Sequence, residues 1–414
     1  MPTTTSNRAK QVNIRLLVDL GKYLLAIGLL LWVVRANWTP AASPRALASV
    51  AASTVGLTGY VGVGFPGGSL LSVSVLVPGR LEPPGLGYVW HHHVERAEPL
   101  RWDLLVVALS IYGLALTLTL LRWYLLVRAL GLVLPLFAAL RLGLIGIFFN
   151  TFLPGAVGGD IIKAAALARG QSRRTASVAS VLMDRAIALW ALVWFVAVLG
   201  GVAWGLGWLE GPRATTAGVI LRLAWLIAGT SGLGWLLLGY LPARRADRFA
   251  ERLTKLPAVG KAAAEFWRAV WMYRNRPGTI ALVMLLTWIG QMGFLSSFYL
   301  GLMAFWSPVM GPVPTFVQHV LLVPMGLVMQ ALVPTPGGAG GGEWSFGALY
   351  LLFAAAEANG VLASLVQRLF SWLFGLVGCG FYLWYRPAAE SSRMGQPASA
   401  TPLVEEATAR AIAG

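Results

Sequence analysis

The feature that most constrains this chain is the length of its uncharged segments. From Pro277 to Gly342 there is no Asp, Glu, Lys or Arg residue. Charged residues make up 12% of the 414 residues and hydrophobic residues 57%, and the mean hydropathy is +0.70. A soluble domain carries about 25% charged residues. Most of the chain is therefore expected to lie in lipid, where a helix needs about 20 apolar residues to cross the hydrocarbon.

Six segments are predicted to cross the membrane as full helices. The first begins near Ile14 and continues through the apolar run Tyr23–Val34. A second lies in the uncharged stretch that follows Pro277. The other four are Leu104–Leu121, Ala186–Leu209, Leu223–Ala243, and Leu369–Tyr385 with an extension back toward Val361.

Two further apolar segments, 142–159 and 325–356, are each interrupted by glycine and proline. Arg141 and Arg169 flank the first segment, and both are expected on the cytoplasmic side. A helix from 142 to the break at Pro154-Gly155 reaches only about 16 Å at 1.5 Å per residue, which is half a bilayer. The first segment is therefore predicted to enter the membrane, break and return, and the second to do the same from the opposite side.

Basic residues set the predicted orientation, because cytoplasmic loops are enriched in Lys and Arg. We place the N-terminus, the C-terminus and the segments 161–175 and 244–276 on the cytoplasmic side of the plasma (inner) membrane. The formal net charge of +16 then reflects this orientation and contact with anionic lipid headgroups, so nucleic acid is not an expected partner. The predicted outer loops are 36–102, 210–214, 306–314 and 357–360.

The predicted transmembrane domain covers residues 14–386. It follows a cytoplasmic N-terminus, 1–13, and precedes a tail, 387–414, whose Ala, Ser, Pro and Glu residues predict disorder. The charged approach to the first helix favours a retained membrane anchor, whereas Ala41-Ala42-Ser43 keeps cleavage of a signal peptide open.

The two interruptions are copies of one motif. FLPGAVGGD at 152–160 aligns without a gap with 335–343, the last nine residues of PTPGGAGGGE at 334–343, at an offset of 183 residues (343 − 160 = 183). Asp160 then matches Glu343, and Arg185 matches Arg368 at the same offset. Chance similarity of glycine-rich segments does not account for arginines that match at this offset.

Span, broken hairpin and span thus occur twice, at about 104–209 and 278–385, with the span 223–243 between them. The copies therefore enter the membrane from opposite faces, as in the inverted repeats of many transporters. The predicted fold is an all-α polytopic membrane protein with about six full transmembrane helices plus two re-entrant broken-helix hairpins in an inverted repeat.

The residues around each break suggest a site for a phosphate group. Free N–H groups at the start of a returning helix bind phosphate, and Asp160 or Glu343 either caps that helix or contacts a ligand directly. Arginine at membrane depth is costly and favours a functional role. Alternatively, Arg185 pairs internally with Asp160 or Asp184, and Arg368 with Glu343.

Two neighbouring polar residues have expected roles of their own. Asn150 is expected to orient the first break or to contact a ligand, and Lys163 to extend its amine toward the membrane surface. The predicted substrate-binding residues are Asn150, Pro154, Gly155, Gly158, Gly159, Asp160, Asp184, Arg185, Gly337, Gly338, Gly341, Gly342, Glu343 and Arg368.

Three stretches, FFNTFLPGAVGGDIIKAAALAR at 148–169, MDRA at 183–186 and PTPGGAGGGE at 334–343, resemble the lysylphosphatidylglycerol synthase transmembrane (flippase-like) family. The resemblance covers roughly residues 14–386 and implies movement of aminoacylated, other anionic or glycosylated lipids across the bilayer. Bifunctional members attach an aminoacyl-transferase domain after this region, so only a short tail after 386 implies no synthesis of a lysyl-lipid. The loop 36–102 is larger than expected for the family. The shared motif residues are Asn150, Pro154, Gly155, Gly158, Gly159, Asp160, Asp184, Arg185, Pro336, Gly337, Gly338 and Glu343.

We therefore expect a lipid flippase-like transporter that moves an anionic or glycosylated phospholipid headgroup, without catalysis, cofactor or metal. There is no nucleotide-binding motif. One alternative is an intramembrane enzyme that uses Asp160 and Glu343 as a catalytic pair. Gly158-Gly159-Asp160 is similar to the Gly-x-Gly-Asp motif of intramembrane aspartyl proteases, but Val157 stands where that motif has glycine.

The other alternative is a structural or regulatory subunit, with 244–276 as an amphipathic interfacial helix. Its apolar residues would be Phe249, Leu253, Phe266, Val270 and Tyr273. The triplet at 91–93, three histidines, is expected to be a solvated loop without a carboxylate at helical spacing rather than a metal site. The single cysteine, Cys379, excludes an internal disulfide.

Overall fold

The computed structural model describes residues 4–38, 61–63, 71–73, 85–95, 99–152, 158–169, 171, 174–209, 214–240, 242–255 and 260–384. Apart from one antiparallel pair of short strands, β1 (Val61–Val63) and β2 (Leu71–Val73), the regular structure of these residues is helical. The predicted all-α polytopic fold class is confirmed, with this short strand pair as an addition inside the predicted outer loop.

The helices follow the apolar segments of the sequence. Two 3₁₀ turns, Pro308–Met310 and Pro336–Gly338, lie in the second half of the chain. The α-helices are α1 (Thr4–Ala36), α2 (Leu86–Trp90), α3 (Trp102–Ala129), α4 (Leu136–Phe152), α5 (Gly158–Arg169), α6 (Arg174–Gly205), α7 (Ala214–Tyr240), α8 (Ala243–Thr254), α9 (Gly260–Arg274), α10 (Pro277–Met303), α11 (His319–Leu332), α12 (Gly341–Leu352) and α13 (Glu357–Trp384).

Five helices of the described residues are long and apolar enough to cross a membrane, namely α3, α6, α7, α10 and α13. Their large apolar side chains point outward in many places, for example Leu233, Leu236 and Leu237 on α7, as lipid-facing helices require. The sixth predicted span corresponds to α1, and its role as a span stays a prediction. The helices α6 and α13 start earlier than the predicted spans, so Arg185 and Arg368 lie inside helices rather than at their ends.

α4 and α5 form an antiparallel helical hairpin. A Cβ on Gly159 of α5 would overlap the carbonyl oxygen of Gly146 on α4, so the two backbones touch because both residues are glycine. α4 begins at Leu136 rather than at the predicted residue 142, so Arg141 lies inside this helix and not before it. The connection itself, with Pro154 and Gly155, lies outside the described residues.

α11 and α12 form the second hairpin, and the helices repeat at the offset of the motif. α11, α12 and α13 begin 183 residues after α4, α5 and α6 (319 − 136, 341 − 158 and 357 − 174). A matched glycine in each copy also allows close packing: Gly143 lies against Leu120, and Gly326 lies against Phe346. The described chain therefore contains the same helix order twice, while the inversion relative to a membrane stays a prediction.

The two copies interlock. α13 of the second copy packs on α4 of the first, where a Cβ on Gly378 would overlap the carbonyl oxygen of Leu144. Near the end of α4, the hydroxyl oxygens of Thr151 and Ser371 are 3.4 Å apart. α3 and α10 pack along each other, and the Ser297 hydroxyl donates to the Ala108 carbonyl at 2.7 Å.

The predicted single interfacial helix at 244–276 is wrong. The segment forms two helices, α8 and α9, in which the Trp267 ring N–H donates to the Ala246 carbonyl at 3.0 Å. The Tyr273 side chain is fully buried, and its hydroxyl donates to the Leu126 carbonyl at 2.7 Å. Burial raises the pKa of the Tyr273 phenol, so it stays a donor. Part of the apolar face of this segment therefore covers protein rather than lipid.

The histidine triplet is not an irregular solvated loop. Residues His91–Glu95 form one π-helical turn after α2, and His91 Nδ1 contacts the Glu95 carboxylate four residues later. Glu95 is thus a carboxylate at helical spacing, so the prediction that none is present is wrong. Among the described residues, no group of three or more His, Cys, Asp or Glu side chains is arranged to hold a metal ion.

Replacement of Gly378 by alanine is expected to lower the stability of the protein, because the added methyl group must displace the α4 backbone. Overpacking of this kind costs about 1–3 kcal/mol. The measurement is the midpoint of thermal unfolding of the purified chain in detergent.

Gly380→Ala is the matched control on the same helix. A Cβ at Gly380 meets nothing within 4 Å, so this variant is expected to unfold at or slightly above the wild-type midpoint. Equal midpoints for the two variants would contradict the packing of α13 on α4.

Candidate functional site

Asp160 is the third residue of α5 and is buried, with 6% of its surface exposed. Its Oδ2 accepts a hydrogen bond from Arg185 Nε at 2.7 Å, and its Oδ1 lies 3.7 Å from Lys163 Nζ. Arg185 comes from α6, so this ion pair joins the hairpin to the long helix that follows it. The internal Asp160–Arg185 pair that the sequence analysis considered is present.

Lys163 does not reach for the membrane surface, so that prediction is wrong. Its side chain is 9% exposed, and its amine lies 4.6 Å from the centre of the Trp123 ring. The absence of a side chain at Gly146 makes room for it, since a Cβ there would lie 2.6 Å from Lys163 Cδ. A buried ammonium between a carboxylate and an aromatic face is held by charge attraction from both sides.

Asp184 pairs with Arg122 rather than with its neighbour Arg185. Arg122 Nε donates to Asp184 Oδ1 at 2.9 Å, and both side chains are 7% exposed. Arg122 also reaches Thr287 on α10, with 3.5 Å between Nη1 and the hydroxyl oxygen. Arg122 was not among the predicted site residues. The available signal was an arginine directly after the predicted span Leu104–Leu121, within an apolar run that continues to Val127, because such a residue needs a partner in lipid.

The second copy has a simpler arrangement. Arg368 on α13 pairs with Glu343 through its Nε and donates from Nη1 to the Gly337 carbonyl at 3.1 Å. The other carboxylate oxygen of Glu343 accepts from the Gly340 N–H at 2.8 Å. Glu343 is fully buried and Arg368 is 5% exposed. Glu343 therefore acts both as a helix cap and as a partner for arginine.

Glycine is required where the second hairpin turns. Gly337, Gly338 and Gly340 have φ angles of 56°, 68° and 80°, which residues with a Cβ rarely adopt. A Cβ on Gly337 would lie 3.2 Å from the carbonyl oxygen of Thr151, which is in α4. The turn of the second hairpin thus lies against the last turn of α4 in the first hairpin.

The helix starts are partly occupied. Asn150 Oδ1 accepts from the Gly159 N–H at 2.8 Å, so Asn150 caps α5 and this N–H is not free for phosphate. Gly341 and Gly342 begin α12, and a Cβ on Gly342 would lie 3.4 Å from Arg368 Nη2. Gly158 begins α5.

α1 lies beside both hairpins. The Tyr23 hydroxyl donates to the Phe152 carbonyl at the end of α4 at 2.6 Å. A Cβ on Gly340 would overlap Leu29. α1 was predicted only as a membrane anchor, whereas in the structure it forms one wall of the region where the hairpins meet.

The two copies differ in charge. The first copy holds a charge cluster of five residues, Arg122, Asp160, Lys163, Asp184 and Arg185, with a formal net charge of +1 (three cations minus two anions). The matching positions for Arg122, Lys163 and Asp184 in the second copy are Phe305, Phe346 and Gln367. The second copy keeps only the neutral pair Glu343–Arg368.

The two arginines differ in exposure as well. The Arg185 side chain is 54% exposed although its partner Asp160 is buried, whereas Arg368 is 5% exposed. Arg185 is therefore the arginine that a ligand can reach without opening the structure. Arg368 is enclosed by its own copy and holds the turn at Gly337.

Arg368→Met is expected to destabilise the protein strongly, because it leaves the Glu343 carboxylate buried without a counter-charge. Loss of one partner of a buried pair costs about 3–5 kcal/mol. Arg185→Met is expected to lower the stability clearly less. Solvent can reach the site of the half-exposed Arg185 and take over part of its contact with Asp160, and Lys163 still faces Asp160. Unfolding midpoints in detergent measure both changes.

The double variant Glu343→Gln with Arg368→Met is the control for lost charge balance. It keeps an acceptor for the Gly340 N–H and removes the unpaired charge, so it is expected to regain part of the lost stability. A double variant no more stable than Arg368→Met alone would contradict the role assigned to this pair.

Comparison with known proteins gives one match. A family model described as the lysylphosphatidylglycerol synthase TM region matches residues 88–379. No curated protein and no solved structure matches the chain. The matched segment contains both hairpins, the charge cluster and every described residue of the predicted site. It is more than half of the chain, and the protein therefore belongs to the lysylphosphatidylglycerol synthase TM region family.

Proposed function

We propose that this protein moves an anionic or glycosylated phospholipid headgroup across the bilayer without catalysing a covalent change. The family and the apolar helices make it a multi-pass membrane protein of the lipid-related, flippase-like type. The observation that carries the finer proposal is the half-exposed Arg185, which belongs to the charge cluster with a formal net charge of +1.

The depth of Arg185 supports this proposal. It lies 11 residues from the start of α6 (185 − 174), which corresponds to about 16 Å along the helix. An arginine that faces hydrocarbon at such depth is costly. Its exposed surface is therefore expected to face a polar path through the protein, and a guanidinium binds the phosphate of a headgroup in bidentate fashion.

The predicted orientation of the chain determines from which face of the membrane each ion pair approaches the proposed path. With a cytoplasmic N-terminus, α3 runs inward and α10 runs outward, because α6 and α7 both cross the membrane between them. The pairs Asp160–Arg185 and Glu343–Arg368 then approach the centre from opposite faces. We place both termini on the cytoplasmic side of the plasma membrane under this proposal.

The two pairs have different roles in the proposed mechanism. Arg185 exchanges the Asp160 carboxylate for the phosphate of a passing headgroup, and Lys163 keeps Asp160 neutralised during that exchange. Glu343–Arg368 stays closed and fixes the turn at Gly337. The acyl chains remain in lipid, which requires no apolar tunnel for them.

A catalytic pair of Asp160 and Glu343 is not part of the proposal. Each carboxylate is paired with its own arginine in the structure. A dyad that shares one proton needs the two carboxylates side by side. The pairing with separate arginines supports binding or structure rather than acid–base work.

Arg185→Ala is expected to reduce headgroup transfer at least tenfold in proteoliposomes, since one lost charge-assisted phosphate contact is worth about 1.5–3 kcal/mol. The assay follows fluorescently labelled phosphatidylglycerol from the inner to the outer leaflet. Arg185→Lys keeps the charge but loses the bidentate contact, so it is expected to transfer at an intermediate rate.

Arg268→Ala is the matched control. Arg268 is 48% exposed and pairs with Glu265 at 2.8 Å, which resembles Arg185 in exposure but lies on α9 outside the hairpins. It is expected to transfer lipid at the wild-type rate. Wild-type transfer in the folded Arg185→Ala variant would overturn the proposed function.

A further inference from the structure

α8 and α9 enclose a cleft that is separate from the paired hairpins. Its volume is about 470 Å³, and it is lined by Arg245, Arg248, Phe249, Arg252 and Trp267. The three arginines lie at positions i, i+3 and i+7 of α8, which places them on one face of the helix. The Phe249 and Trp267 rings meet in a T-shaped contact with 4.7 Å between their centres and form the apolar wall.

The lining of the cleft is positively charged. All three arginine side chains are exposed, and within the described part of the chain none of them forms an ion pair. Arg248 is oriented by a hydrogen bond from its Nε to the Arg244 carbonyl at 3.2 Å. The acids of the same helix, Asp247 and Glu251, do not line the cleft.

The cleft lies next to the ends of membrane-spanning helices. α8 starts three residues after Tyr240, the last residue of α7 (243 − 240), and Tyr240 is 87% exposed. Tyr273 at the end of α9 is anchored to α3, and α10 begins at Pro277. This places the arginines near the height where the headgroups of the adjacent leaflet lie.

The aromatic wall and the three arginines of the cleft suit different parts of a phospholipid. Phe249 is 44% exposed, and an aromatic ring at the membrane boundary contacts the glycerol and upper acyl region of a lipid. Guanidinium groups bind phosphate oxygens in pairs. A soluble phosphate compound uses only the arginines, whereas a phospholipid uses both the arginines and the aromatic wall.

We propose that this cleft is a binding site for the phosphate of an anionic phospholipid from the adjacent leaflet, held by Arg245, Arg248 and Arg252. The bound lipid rests its glycerol region against Phe249 and Trp267. It stabilises the packing of α8 and α9 against the ends of α3 and α10. The site is distinct from the transfer path, and it rests on the membrane location of the chain rather than on transport activity.

The test counts phosphatidylglycerol molecules that stay bound to the full-length protein. The purified chain in neutral detergent is supplied with phosphatidylglycerol or phosphatidylcholine and examined by native mass spectrometry. The variant replaces Arg245, Arg248 and Arg252 with alanine. Its control replaces Arg244, Lys261 and Arg268, three exposed cations of the same hairpin that do not line the cleft.

The wild type and the control are expected to retain one tightly bound phosphatidylglycerol that the cleft variant loses. The affinity of the cleft variant for phosphatidylglycerol is expected to fall at least tenfold, because this variant loses the direct guanidinium–phosphate contacts that the control keeps. The corresponding triple lysine variant is expected to show an intermediate affinity, because it keeps the charge but not the paired contacts. Phosphatidylcholine has the same phosphate but also a choline cation that the arginines repel, so it is expected to bind the wild type more weakly than phosphatidylglycerol does.

Two results would overturn the proposal. Equal retention by the cleft variant and the control would show that the total charge of the hairpin, not the cleft, holds the lipid. Displacement of phosphatidylglycerol by an equal concentration of glycerol 3-phosphate would assign the cleft to a soluble phosphate compound. Neither result bears on headgroup transfer, so the proposed function stands or falls separately.

Discussion

A carboxylate near the start of a short helix, buried among apolar side chains, cannot remain charged without a partner. Both copies of the motif meet this constraint in the same way. The acid on the returning helix pairs with an arginine 25 residues later in the long helix that follows. The pair fixes the angle at which each hairpin sits on its long helix. The glycines at the close contacts, the turn of the second hairpin and the Asn150 cap are all compatible with this one arrangement of hairpin and long helix.

Interlocking of the copies brings these pairs into one region. The long helix of the second copy packs on α4, and the turn at Gly337 touches Thr151. Similar scaffolds nevertheless carry different charges, since Lys163, Arg122 and Asp184 occur only in the first copy. Because the halves differ in this way, the Glu343–Arg368 pair of the second copy can stay closed, while the half-exposed Arg185 of the first copy is open to a headgroup. The proposed transfer path follows from that difference rather than from symmetry.

The sequence was sufficient for the parts of the site that depend on spacing along the chain. The repeat offset and the helix starts near Asp160 and Glu343 follow from it. It offered Glu343 as the internal partner of Arg368 but left both Asp160 and Asp184 open as partners of Arg185. It was insufficient where contacts join distant segments. Lys163 lies one turn after Asp160, and nothing local shows that Trp123 covers it. Likewise, the spacing of Phe266 and Tyr273 indicates an apolar helix face, but not whether lipid or protein covers that face.

The most direct test of the central claim is a disulfide between the two copies. Cysteines replace Thr151 and Ser371 in a Cys379→Ser background, and oxidation is carried out in native membranes. The account predicts rapid cross-linking, because the two hydroxyl oxygens are 3.4 Å apart and a disulfide needs closely apposed Cβ atoms. Thr151 paired with Thr230 on α7 is the control and is expected not to cross-link. Failure of the Thr151–Ser371 pair to cross-link, with both cysteines reactive toward a small maleimide, would contradict the interlocked arrangement of the copies.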